Sequence, residues 1–241
     1  MALGLEAVAF DVADAIEVAT FWGTLLDRKV HPEAGGAFVP GDDRQVGLRF
    51  VSTDTERDGR PRLHLHVTTT SREDQQHTVD TALRLGGRHL DVGQGPDEEF
   101  VVLADPGGNE LCVIEPGNRF LAGTGRLGEV TCDGSRDVGS FWSNALGWPL
   151  VWDRGEQTAI QSPLGGTKIS WDAWGRPALE RNQPRFDLVT SQLADEADRL
   201  VALGATRLAG RPDRLELADP DGNPFGLRAG PLSLPGPVPR D

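Results

Sequence analysis

Few residues in this sequence are suited to chemistry. His64 and His66 stand two apart in LHLHV, so on a strand both imidazoles point to one face while Leu63, Leu65 and Val67 point to the other. Such a pair can bind a transition metal, since neutral nitrogen ligands suit zinc, iron or nickel. It can equally wall a polar pocket and hydrogen-bond to a ligand. Cys112 lies in ELCVI, which alternates as a strand with Glu110 and Ile114 on the same face. Its thiol is a soft ligand or nucleophile if its pKa is lowered, and otherwise a small buried apolar group. Cys132 faces away from Glu129 and reads as core. Trp171 and Trp174, on a strand and the loop after it, could line a cleft for a flat organic ligand by stacking. Nothing resembles a nucleophile elbow, a phosphate loop or a Ser-His-Asp arrangement. The glycines Gly123, Gly125 and Gly128 precede an alternating segment, not a helix, and so fail as a dinucleotide loop.

The elements that position these residues repeat. ADPGGN at 104–109 returns as ADPDGN at 218–223, Phe21–Trp22 returns as Phe141–Trp142, and Leu85–Gly86 returns as Leu203–Gly204, in the same order. Period-two alternation predicts strands at 5–11, 37–40, 45–52 and 62–69. Residues 14–26 predict a helix capped by Asp14, with Ile16, Ala19, Phe21–Trp22 and Leu25–Leu26 as its apolar stripe. Trp22 and Trp142 occupy equivalent helix positions and are expected to pack their helices on the sheets. Ser71 and Asp74 form a capping box for a second helix ending at Gly86. Strands 99–104 and 110–115 follow, joined by a turn in which Asp105 bonds the following backbone. The second copy includes a helix at 191–203, apolar at Leu193, Ala197, Leu200 and Val201. The expected fold class is therefore α+β, with four βαβββ modules. The expected domains are 1–118 and 126–230, joined by a Gly-rich linker at 119–125 and followed by a Pro-rich tail at 231–241.

Paired βαβββ modules, an early Phe-Trp helix, a helix ending Leu-Gly-Gly or Leu-Gly-Ala and a final Asp-Pro-x-Gly-Asn hairpin resemble the vicinal oxygen chelate superfamily. That group includes glyoxalase I, extradiol dioxygenases and bleomycin-resistance proteins, and the resemblance is closest to tandem glyoxalase-like proteins. It implies two glyoxalase-like domains with curved mixed sheets. In the metal-dependent members the ligands come from four strands. The matching positions are Ala7 and Glu129 on the first strands, Arg49 and Ser170 on the fourth, His64 and Arg185 on the fifth, and Cys112 and Gly226 on the last. Neither copy keeps the family's His/Glu set. If the first module of one copy meets the second module of the other, Glu129, His64 and Cys112 make a metal set with an open position. The opposite pairing offers Ala7, Arg49, Arg185 and Gly226, a cationic pocket suited to a carboxylate or phosphate.

Composition narrows the partners. The 37 acidic residues against 24 basic give a net charge of −13, the wrong sign for a nucleic-acid or anionic-membrane partner. No apolar run approaches the length of a membrane span. The start MALGLEAVAFDVAD lacks the features of a secretory signal, and two cysteines make no disulfide framework, so a cytoplasmic location is expected. The function expected is non-catalytic binding of a small organic molecule, of the sequestration or resistance type. Arg49 and Arg185 would meet an anion, and Trp171, Trp174, His64 and His66 would shape the pocket. No cofactor is required by that reading. The alternative is a divalent-metal-dependent lyase, isomerase or dioxygenase with a site shared between the domains. Whether two chains also form a homodimer is left open.

Overall fold

The computed structural model of the chain describes residues 3–55, 59, 61–95, 97–173 and 183–231. Trp174 and the tail beyond residue 231 lie outside the described residues. The elements fall into four βαβββ modules. Module one is β1 (Leu3–Val12), α1 (Ala15–Leu26), β2 (His31–Glu33), β3 (Gly36–Val39) and β4 (Gly47–Ser52). Module two is β5 (Leu63–Val67), α2 (Arg72–Arg84), β6 (Arg88–His89), β7 (Val101–Ala104) and β8 (Glu110–Val113). Module three is β9 (Leu127–Asp133), α3 (Arg136–Leu146), β10 (Leu150–Arg154), β11 (Gln157–Gln161) and β12 (Lys168–Asp172). Module four is β13 (Arg185–Thr190), α4 (Leu193–Ala202), β14 (Thr206–Arg211), β15 (Arg214–Ala218) and β16 (Pro224–Ala229). No helix among the described residues is long and apolar enough to cross a membrane.

Local chemistry sets the helix starts. Asp14 accepts from the Glu17 amide at 2.9 Å, and Ser71 accepts from the Asp74 amide while Asp74 reaches back to the Thr70 amide. The helix stripes are narrower than the sequence suggests. Ile16 and Val201 are exposed, because the buried arcs run through Val18, Phe21, Trp22 and Leu25 in α1 and through Ala197 and Leu200 in α4.

The modules pair across the two sequence repeats. One mixed sheet has the order β14-β15-β16-β13-β1-β4-β3-β2, built from modules four and one. The other has the order β10-β11-β12-β9-β5-β8-β7-β6, built from modules three and two. We call them the terminal sheet and the central sheet. At each centre the two modules meet antiparallel, β1 on β13 and β9 on β5. Each sheet thus takes one module from each half of the sequence.

The layers between the sheets fuse into one large apolar core containing Trp22, Trp142, Trp171, Phe10, Phe21, Phe50 and Phe225. Two equivalent latches tie helices to turns across the sheets. Trp22 Nε1 on α1 donates to Asp105 at 2.8 Å, and Trp142 Nε1 on α3 donates to Asp219 at 3.2 Å. Asp105 also accepts from the amide and side chain of Asn109, as Asp219 does from Asn223. Burial holds the Asp219 carboxyl above its usual range, against the bonds from Asn223 and Trp142. The aspartates of both turns are therefore structural. Asp105→Ala strands a buried indole N–H and the Asn109 donors, and is expected to lower the unfolding free energy by about 2–3 kcal/mol in urea titration. A loss of only a few tenths would show that the latch is ornamental to stability.

Candidate functional site

One rung of residues crosses the centre of each sheet, and comparing the rungs separates the two faces. In the central sheet Lys168 pairs with Glu129, Glu129 with His66, and His66 with Cys112. In the terminal sheet the equivalent rung is Gly47, Ala7, Asp187 and Gly226. The residue facing the first strand of the partner module is thus His66 or Asp187. The sequence alignment put His64 and Arg185 there, one step of the pleat away.

On the central sheet, His66 Nδ1 lies 2.7 Å from Glu129 Oε2 and His66 Nε2 lies 3.0 Å from His64 Nε2. One donor atom each from His64, His66 and Cys112 lies within 4.8 Å of the other two. Thr131 Oγ1 stands 3.5 Å from His66 Nε2. Burial works against protonation of His66, but the Glu129 carboxylate and hydrogen bonds to Cys112 and Glu129 outweigh it and raise its pKa to about 10. Burial likewise works against the Glu129 charge, yet His66, Ser170 and Lys168 together hold its carboxyl below the usual range. Lys168 is shifted down by burial, against the pull of Glu129. Cys132 lies on the opposite, core-facing side of β9, where burial pushes its thiol well up, so Cys112 is the cysteine of this face.

A cavity of about 480 Å³ opens over His66 and Glu129. Its walls include Phe100, Ile114, Phe120 and Leu121. Phe120 and Leu121 come from the segment read from composition as a linker at 119–125. That segment packs as a strap: Leu121 and Thr124 are buried, Phe120 meets Trp152 edge-on, and the Lys168 ammonium lies 4.2 Å above the Phe120 ring and donates to its carbonyl. Gln45 of module one holds the strap by donating to the Thr124 carbonyl at 2.6 Å.

The terminal-sheet rung carries an ion-pair network in place of a reactive set. With Gly47, Ala7 and Gly226 contributing almost no side chain, the Arg49 guanidinium fills the space over the rung. It donates to Glu6, Glu33 and Asp187, each at 2.9 Å, and stacks on Phe38. Arg214 donates to the other Asp187 oxygen at 2.9 Å, and Arg228 pairs with Glu6. Burial opposes the Arg49 charge, but Glu33, Glu6 and Asp187 raise its pKa further above an already high value. Arg185, beside it across Ala9, is held by Asp11 at 2.9 Å. The free cationic pocket expected from Arg49 and Arg185 is therefore not formed, because each guanidinium is neutralised by carboxylates of neighbouring strands. A cavity of about 670 Å³ does lie against this sheet, lined by Arg185, Arg214, Glu216 and Gly226 and, from the central sheet, by Leu63, Cys132 and Trp171. Trp171 is only 2% exposed and serves mainly as core.

Of the residues singled out in the sequence, the structure brings together His64, His66, Cys112 and Glu129, and places Arg49, Arg185 and Trp171 elsewhere. Lys168 and Phe120 were missed. The signal available for Lys168 was its repeat position, where module one has Gly47. The donor set of the central sheet, two imidazoles and a thiol beside a carboxylate, suits a divalent transition metal.

Two mixed sheets of paired βαβββ modules, each with a rung of four paired residues at the module junction, define the vicinal oxygen chelate fold. The chain belongs to the glyoxalase-like domain family, whose model matches residues 7–114 and again 129–228. Glyoxalase I of Zea mays is similar over 94% of this chain and 92% of its own, with a TM-score of 0.69 at 14% identity. A candidate dioxygenase of Bacillus subtilis is similar over 97% of this chain and 87% of its own, with a TM-score of 0.61 at 13% identity. At such identities the likeness is one of fold. No curated protein sequence matches the chain significantly.

Proposed function

We propose that the protein binds a small organic molecule at one site, the His66 face of the central sheet, and that the matching face of the terminal sheet is structural. The observation that carries this reading is the asymmetry of the two rungs. One carries Lys168, Glu129, His66 and Cys112, and its His66 and Glu129 line a cavity whose wall sets Phe100, Ile114, Phe120 and Leu121 beside Asp97, Glu98, Glu99 and Glu115. The other is filled by an arginine bound to three carboxylates. The apolar walls would bury a hydrophobic part of the ligand, and the rung would meet its polar part. A metal, where bound, would be held by His64, His66 and Cys112 and would supply Lewis acidity to an oxygen of the bound molecule.

Sequestration was favoured by the sequence because neither half keeps a ligand set of its own. The sheet pairing weakens that motive, since this face draws Glu129 from one half and His64, His66 and Cys112 from the other. A metal-dependent reaction is therefore the second reading, supported by the converging donors.

A thermal-shift screen with aromatic and oxygen-chelating small molecules tests the site, because stabilisation follows ligand concentration over Kd. Molecules that raise the wild-type Tm should lose most of their shift in Phe120→Ala and keep it in Glu216→Ala, which alters the terminal-sheet cavity. The reverse pattern would move the site to the terminal sheet and sink the proposal.

A further inference from the structure

Module one belongs to the terminal sheet, yet one of its side chains reaches the elements that build the central-sheet cavity. Gln45 stands in the turn before β4, which is closed by Asp42: the Asp42 carboxylate accepts from the Gln45 amide at 2.7 Å, and the Gln45 carbonyl accepts from the Asp42 amide at 2.9 Å. The carboxamide oxygen of Gln45 accepts from Arg28 at 2.9 Å and from the Leu127 amide at 3.0 Å. Its nitrogen donates to the Thr124 carbonyl at 2.6 Å, with Thr167 Oγ1 at 3.2 Å and the Leu127 carbonyl at 3.3 Å beside it. Each of these contacts leads toward the cavity. Thr124 belongs to the strap that carries Phe120 and Leu121. Leu127 opens β9 two residues before Glu129, and Thr167 directly precedes Lys168, whose ammonium holds the Phe120 carbonyl. The fit is close on both sides. A Cβ at Gly125, where φ is +85°, would stand 2.8 Å from the carboxamide nitrogen, and one at Gly166 would stand 1.6 Å from the Arg44 carbonyl, which accepts from the Thr167 amide. The turn is wedged between the strap and the β11–β12 hairpin.

We infer that Gln45 is a positioning residue for ligand binding at the central sheet. Its carboxamide sets where Phe120 meets Lys168, and so fixes the cavity wall relative to the rung. A carboxamide suits the task because it donates and accepts at once, and here it does both to the backbone. Thr124 and Leu127 are 1% and 0% exposed, so losing the carboxamide strands a buried carbonyl and a buried amide. The strap would then move to find other partners, taking Phe120 with it. By this device the half without a reactive rung shapes the site on the other sheet. The inference rests on the central-sheet cavity being the ligand site.

The full-length chain is titrated with the neutral apolar dye N-phenyl-1-naphthylamine, followed by its fluorescence, and is separately digested with trypsin under native conditions. Arg119 is exposed at the start of the strap, so cleavage after it reports local opening. Gln45→Met keeps the length of the side chain and removes its hydrogen bonds. It should weaken dye binding about 10-fold and speed cleavage after Arg119 by a similar factor, as expected when buried backbone groups lose their partner. Gln45→Glu still accepts from Arg28 but sets a carboxylate against the Thr124 carbonyl. It should show the same two effects, and it decides alone if Gln45→Met fails to fold. Ala197→Gly weakens α4 of module four, far from the strap in the sheet order, and should leave both readouts at their wild-type values. That control separates positioning from a general loss of stability. Dye binding that Phe120→Ala weakens but the Gln45 variants leave unchanged overturns the role of Gln45 while the ligand site stands. A dye that does not bind the wild type, or binds regardless of Phe120→Ala, overturns the ligand site and the role of Gln45 with it.

Discussion

Arg49→Ala is expected to lower the unfolding free energy by about 3–5 kcal/mol, the range for breaking a buried ion pair by removing one partner. The reason lies in what remains behind. Asp187 is 2% exposed in its side chain, and the Arg49 side chain is only 11% exposed. Arg49 on β4 joins β1 through Glu6, β2 through Glu33 and β13 through Asp187, while Arg214 on β15 and Arg228 on β16 bind the same two central acids. Its removal leaves Glu6 and Asp187 each with one arginine at the junction where modules one and four meet. Arg49→Lys should recover only part of the loss, because one ammonium cannot reproduce a fork directed at three carboxylates. Asp187→Asn, alone and combined with Arg49→Ala, closes a double-mutant cycle whose non-additivity measures the coupling, while Arg214 remains the second partner of Asp187 in the Arg49→Ala protein. Urea midpoints at constant m-value provide the readout. A loss under about 1 kcal/mol, the size of an exposed surface pair, would show that the hub is dispensable.

That hub was hidden in the sequence for a specific reason. A strict period of two puts Glu6 on the opposite face of β1 from Ala7. The register of β1 on β13 shifts between Leu5 and Ala7, and this irregularity lets Glu6 reach Arg49. Read without the shift, Arg49 is a charge looking for a ligand. The error at His64 has a related origin. His64 and His66 share a face, so alternation identifies the face but cannot say which rung opposes Glu129. Local patterns were reliable where the physics is local. The caps at Asp14 and Ser71, the Asp105 and Asp219 turns and the βαβββ order all follow from side chain-to-backbone bonds or short-range period. The two-residue β6 and three-residue β2 are too short to carry a period, and the expected strands did not include them. Phe120 was lost in a glycine-rich segment whose composition reads as a linker, although it meets both Lys168 and Trp152.

The pairing of modules, open in the sequence and raised there only by the family resemblance, has the most bearing on function. It joins β5 to β9 and β1 to β13, contacts between distant parts of the chain that no local pattern encodes. Within either sequence repeat the ligand set looks broken. Across the central sheet, Glu129 from one repeat meets His66 and Cys112 from the other, and the face regains a set of side chains able to act together. One rung thus carries reactive groups, while the other carries two glycines, an alanine and Asp187 bound by Arg49.

In metal-free protein, raising the pH from about 6.5 to 10 is expected to remove a few kcal/mol of stability that depends on Glu129. An unfolded histidine titrates near 6.5, whereas folded His66 holds its proton to about 10. A raised folded pKa stabilises fully below the unfolded value and loses its contribution as the pH climbs through the folded one, at up to about 1.4 kcal/mol per unit. Glu129 shifts the other way: its carboxyl is held below 4.5, so its share is present above that value and is lost on acidification. The pair should therefore stabilise most between about pH 4.5 and 6.5. Glu129→Gln removes the charge that sustains the imidazolium, so its stability should be lower at pH 6 and flatter from there to 10. Other groups titrate in the same range, which makes the difference between wild type and variant the quantity to follow, by urea unfolding at half-unit steps. The difference should shrink steadily toward zero by about pH 10. A constant difference across that window would mean that His66 is already neutral at pH 6 and that the contact with Glu129 is an ordinary hydrogen bond. Zinc should displace the Nε2 proton and leave the Nδ1–H on Glu129 in place, so saturating metal is expected to flatten the wild-type profile between pH 7 and 9.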